Sequence, residues 1–110
     1  MNKDISVFIG HILESIARIE EFTKGVPKKE FLISVQKQDA VIRRLEIIGE
    51  AVKNIPISFR EKYSEVPWKE IARIRDKLIH GYFGIDLELT WDIVKKDIPV
   101  LKGKIKKIRC

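Results

Sequence analysis

The chain has 110 residues, of which 45% are hydrophobic and 35% charged, so one globular domain spanning 1–110 is expected and wholesale disorder is excluded. Lys and Arg outnumber Asp and Glu by 22 to 16, and the resulting +6 favours polyanionic partners, nucleic acid first. A lone cysteine, Cys110, rules out a disulfide framework or a thiolate metal site within one chain.

From the N-terminus, Ile5, Phe8/Ile9, Ile12, Ile16 and Ile19 recur at helical spacing, with Asp4 placed to cap and Gly25 to stop the helix. That stretch also carries His11, Glu14 and Arg18. It lacks a basic n-region and a small-residue cleavage site, so it reads as mature helix, and a cytoplasmic protein is the expectation. Nothing approaches membrane-spanning length. Val26-Pro27 then opens a second helical stretch over residues 28–54, clearest where Val41, Leu45, Ile48 and Val52 step by 4, 3 and 4. Gly49 lies inside that pattern, at a cost of up to about 1 kcal/mol against alanine. Either another backbone approaches closely there, or it is a weak spot without further meaning.

A connector over residues 54–63 contains Pro56 and room for one helical turn around Phe59. Ser64-Glu65-Val66-Pro67 marks a helix start, and the helix is expected to run from 66 to 80 and stop at Gly81. Asp86 caps a last helix whose stripe is Leu87, Trp91, Val94, Ile98, Leu101, Ile105 and Ile108. Pro99 should kink it without redirecting it. The expected fold is an all-α antiparallel bundle of four to five helices, with self-association left open by the 4-3 stepping. Lys102, Lys104, Lys106, Lys107 and Arg109 crowd the tail, where a solvated helix end explains them as well as RNA does.

The chemically loaded segment is Arg75-Asp76-Lys77-Leu78-Ile79-His80-Gly81-Tyr82. With Arg75 at zero on a helical wheel, Ile71, Ile74 and Leu78 cluster at about 260–320°, the core side. Trp68, Ala72 and Ile79 fall at about 20–60°, a second apolar strip suited to contact between two copies. Asp76, His80 and Arg73 fall at about 100–160°, and Arg75 and His80 stand about 140° apart. The two therefore meet one substrate only if the last turn loosens or a second subunit completes the site.

Residue types alone leave two readings. These are ordinary surface groups on a helix end, or a phosphodiester-cleaving set. In the second reading His80 moves a proton, Asp76 orients its imidazole, and the Arg75 fork steadies phosphate charge. No spacing suited to a metal appears, so no metal and no cofactor is expected, and His11 reads as a structural histidine. Nucleotide-binding glycine loops and a nucleophile elbow are also missing from the sequence.

Arg75-x4-His80-x-Tyr82, preceded by Trp68-Lys69-Glu70-Ile71-Ala72-Arg73-Ile74, resembles the HEPN superfamily, specifically the HepT-like toxins. The resemblance extends to Leu45-Glu46-Ile47-Ile48-Gly49-Glu50-Ala51 and to Ile85-Asp86 through Trp91, covering residues 35–108. It implies a five-helix-type bundle that dimerises with the motifs at the interface. It further implies a metal-independent endoribonuclease in which Arg75 and His80 match the catalytic positions. The implied partner is a nucleotidyltransferase antitoxin that silences the toxin by adenylylating the motif tyrosine, here Tyr82. A non-catalytic alternative is a helical module that holds, or presents nucleotide to, a nucleotidyltransferase.

Overall fold

The computed structural model describes residues 2–79 and 84–108, with side chains from Ile5 onward. It is an all-α bundle. The helices are α1 (Asn2–Thr23), α2 (Lys28–Ile33), α3 (Val35–Lys53), α4 (Ile57–Lys62), α5 (Trp68–Ala72), α6 (Ile74–Leu78), α7 (Leu87–Asp92) and α8 (Ile98–Ile105), with a π-helical turn, Ile93–Asp97, between α7 and α8. No helix among the described residues is long and apolar enough to cross a membrane.

The core forms where the apolar periodicity places it. Ile9, Ile12, Ile16 and Ile19 of α1 are buried against Val41, Leu45, Ile48 and Val52 of α3. The start of α1 lies beside the end of α3, since Phe8 and His11 share a cleft with Ile47, Ala51 and Asn54, so the two helices run antiparallel. The opposite flank of α3 receives α5 and α6, while α2 bridges α3 and α7. Phe31 of α2 and Trp91 of α7 pack with ring centroids 5.2 Å apart, and Lys95 Nζ sits 4.8 Å from the centroid of the Trp91 ring.

Several element boundaries differ from the sequence expectation. α1 begins at Asn2, ahead of Asp4, and ends as expected before Gly25, whose φ of 70° is left-handed. The stretch expected as one helix over residues 28–54 is two. Ser34 is extended (φ −98°, ψ 99°), and its Oγ accepts the Lys37 N–H at 3.3 Å, capping α3 afresh. Gln38 Nε2 donates back to the Phe31 carbonyl at 2.9 Å, closing the corner. The turn around Phe59 is α4.

Pro99 is accommodated by the π-helical turn that precedes it. The Ile98 N–H reaches back five residues to the Ile93 carbonyl, which widens the helix where the proline ring would crowd residue 95. Trp91, Val94, Ile98, Leu101, Ile105 and Ile108 stay buried on both sides of it, so the direction holds.

Asp86 caps α7 as expected, its Oδ1 accepting the Leu89 N–H at 3.0 Å. Asp86→Ala is therefore expected to cost about 1 kcal/mol, read from the shift of a urea unfolding midpoint at unchanged slope.

Candidate functional site

The helix expected over residues 66–80 is broken and short. α5 starts at Trp68, one residue after Pro67; Arg73 (φ −98°, ψ 11°) interrupts the path, and α6 stops at Leu78. Ile79 is already extended (ψ 120°) and pairs with Ile85 in an antiparallel bridge. The Asp86 N–H donates to the Leu78 carbonyl at 2.8 Å, tying the end of α6 to the start of α7. A single helical wheel therefore does not run from Trp68 to His80, and the separation of about 140° between Arg75 and His80 loses its basis. His80 and Tyr82, the two remaining motif residues, and the stop at Gly81 lie outside the described residues.

The second apolar strip is corrected for the same reason. Trp68 is only 5% exposed, and its indole N–H donates to the Arg60 carbonyl at 3.1 Å and the Tyr63 carbonyl at 3.0 Å. It is thus a core anchor within the chain and not a surface for a second copy. Ala72 and Ile79 are half-buried, whereas Ile71, Ile74 and Leu78 point into the bundle as the wheel placed them.

Arg75 and Asp76 are exposed on α6. Arg75 is not left to wander: its Nε lies 3.3 Å from Glu46 Oε2 on α3, with the arginine side chain 63% and the glutamate 30% exposed. One turn beyond Glu46, Gly49 faces the break between α5 and α6. A Cβ on Gly49 would lie 3.3 Å from the Ile71 carbonyl oxygen and 3.4 Å from Ile74 Cγ2. Of the two explanations open for this glycine, close backbone approach is the one that holds. Sequence reasoning noted Leu45 to Ala51 but gave Glu46 no role. The available signal was a carboxylate beside Leu45 and Ile48, one turn before a glycine in the same helix.

Arg75, Glu46 and Gly49 line a shallow cleft of about 180 Å³ together with Arg43, Glu50, Lys53 and Ala72. Its lining is mixed in charge, with Lys53 Nζ 3.9 Å from Glu50 Oε1. A second depression, on the α1 side of the α3 ridge, shares Arg43 and Glu50 and contains His11, which is exposed and edge-on to Phe8 at 6.3 Å. The apolar groove of about 150 Å³ between α6 and α8 has carboxylates and an amine only at its rim and offers no comparable chemistry. Among the described residues no group of three or more His, Cys, Asp or Glu side chains is gathered as a metal set.

The profile of the family described as "Ribonuclease HepT-like" matches residues 12–108. The chain belongs to the HepT-like ribonuclease family. Membership puts it in a class of RNA-cleaving enzymes, and the HepT-like part of the sequence resemblance holds. A protein of Thermococcus cleftensis named "Probable ribonuclease HepT" is 51% identical over 109 residues, 99% of each chain. A Methanocaldococcus jannaschii protein named "Gamma-glutamylcyclotransferase and putative RNase" is 60% identical over 108 residues, 98% of this chain. The chain spans about half of that relative (49%). A "Putative RNase" of Caldanaerobacter subterraneus is 48% identical over 101 residues, 92% of this chain and 90% of that one. No solved structure matches the chain.

Proposed function

We propose that this chain is the ribonuclease of a toxin–antitoxin pair, cutting RNA by attack of the RNA's own 2′-hydroxyl on the adjacent phosphorus. The observation that carries the reading is the exposed Arg75 guanidinium, moored on Glu46 and set on a segment of a HepT-like ribonuclease that stops being helical just before His80. Arg75 steadies the charge on the pentacoordinate phosphate. His80 takes the 2′-hydroxyl proton, and a second imidazole, from another copy of the chain, protonates the departing 5′-oxygen. Asp76, four residues before His80, orients the imidazole. The products are a 2′,3′-cyclic phosphate and a 5′-hydroxyl, and the chemistry needs no metal.

In this reading the protein is a cytoplasmic homodimer. Its partner is a nucleotidyltransferase antitoxin that adenylylates Tyr82, next to the catalytic histidine in sequence, and so places bulk and negative charge where RNA phosphate would bind.

The deciding experiment incubates the purified, unmodified protein with a mixed RNA pool in excess EDTA. Cleavage is expected to persist in the chelator and to leave 5′-hydroxyl ends that polynucleotide kinase labels directly. RNA left intact, with complex formation with the nucleotidyltransferase retained, would overturn the catalytic reading in favour of a binding module.

A further inference from the structure

We propose that Glu46 is a positioning residue for Arg75, and that Gly49 sets the gap across which it acts. The proposal rests on the ribonuclease reading of Arg75.

Glu46 meets Arg75 at its Nε, with Oε2 at 3.3 Å. A carboxylate on the Nε side leaves the Nη1–Nη2 edge of the guanidinium open, and that edge can take two phosphate oxygens at once. The asymmetry in exposure fits this division of roles. Glu46, at 30% exposed, is seated in the wall formed by α3, while Arg75, at 63%, reaches out to solvent. A pair so exposed adds little to stability, because both partners stay well hydrated. Its effect lies in holding one rotamer of a long, flexible side chain, which shortens the search for the productive geometry.

The spacing of Glu46 and Gly49 puts both on the side of α3 that faces α5 and α6. Gly49 has the Ile71 and Ala72 carbonyl oxygens 3.3 Å and 3.7 Å from the position of a Cβ, and Ile74, the neighbour of Arg75, at 3.4 Å. A methyl group there pushes the segment bearing Arg75 outward by a few tenths of an ångström. The Arg75–Glu46 contact is an ion pair at 3.3 Å, so an outward shift of α6 weakens the attraction that aligns the guanidinium. The Leu45–Ala51 segment thus brings both the carboxylate and the close-approach glycine to bear on one arginine.

The test is steady-state cleavage of a short RNA substrate by the full chain. Glu46→Ala is expected to lower kcat about tenfold with KM within twofold, since the aligned arginine matters most in the transition state. Glu46→Gln keeps the length of the side chain but not its charge, and is expected to be as slow as Glu46→Ala, because the contact is an ion pair. Gly49→Ala is expected to lower kcat whether its melting temperature rises through helix propensity or falls through crowding. In an Arg75→Ala background, which leaves no cation to position, Glu46→Ala should cause no further loss of the residual rate. Additive losses there, or a Glu46→Gln enzyme as fast as the unaltered chain, would overturn the proposal. If Arg75→Ala itself leaves cleavage intact, it is the ribonuclease role of Arg75 that falls. If Arg75→Ala abolishes cleavage and Glu46→Ala does not slow it, only the positioning role does.

Discussion

Replacing Arg75 by alanine is expected to reduce RNA cleavage by about 10²–10³-fold, the size of the effect when one preorganised charge-stabilising donor is removed. The melting temperature should stay within about 2 °C, because the change breaks only an exposed ion pair. Arg75→Lys should not restore the rate. Lysine keeps the charge but presents a point donor where the phosphate meets a planar fork, and it has no Nε to rest on Glu46. His80→Ala is expected to be at least as severe, since it removes the proposed proton acceptor from the 2′-hydroxyl. Activity is read as initial cleavage rates and stability by thermal unfolding of the same preparations. Cleavage that survives in both Arg75→Ala and His80→Ala sinks the proposed mechanism, whatever the state of the fold.

The helices and their buried faces were legible because one-dimensional spacing determines them. Val41, Leu45, Ile48 and Val52 step along one face of α3, and all four are buried. Asp86 and Gly25 mark their helix ends through local chemistry that a short window contains. The breaks at Ser34 and Arg73 were not legible. Ser34 interrupts a pattern that counts as continuous on apolar spacing, since Ile33 and Val35 flank it, yet these two are 79% and 66% exposed. At Arg73 neither glycine nor proline signals the break. What lies against it is Gly49 of α3, a partner twenty-four positions away that no local window includes. For the candidate site the sequence supplied residue types only, and the geometry around Arg75 was not legible in it. A helical wheel assumes one helix, and α6 ends at Leu78. Glu46 stayed without a role because its partner lies across the bundle.

Trp68→Ala is expected to have the largest effect on stability, about 3–5 kcal/mol, the usual range for truncating a buried tryptophan. That is a large share of the roughly 5–15 kcal/mol available to a domain of this size. The reason is the position of Trp68 between two elements. Its ring is buried at the start of α5, and its N–H serves the Arg60 and Tyr63 carbonyls at the end of α4. Arg60 in turn donates from Nε to the Ile55 carbonyl at 3.0 Å and from Nη2 to the Val52 carbonyl at 2.7 Å, holding the end of α3. Removing the ring therefore opens a cavity and takes one donor from two carbonyls in a junction that α3, α4 and α5 share, each carbonyl keeping a backbone N–H (Tyr63 on Arg60, Val66 on Tyr63). Trp68→Phe separates the two contributions. It keeps most of the buried ring and loses the donor, so about 1–2 kcal/mol is expected. Urea unfolding of the three proteins measures both. If Trp68 lay on a surface between copies, as the helical wheel suggested, alanine there would weaken association and scarcely move the unfolding of the monomer. The buried indole requires the opposite: a lower unfolding midpoint at every protein concentration. Because α5 leads directly into the segment that seats Ile71 and Ile74 against Gly49, the surviving folded protein should also cleave RNA more slowly. Arg75→Ala removes activity and spares the fold; Trp68→Ala weakens the fold and reaches activity only through it.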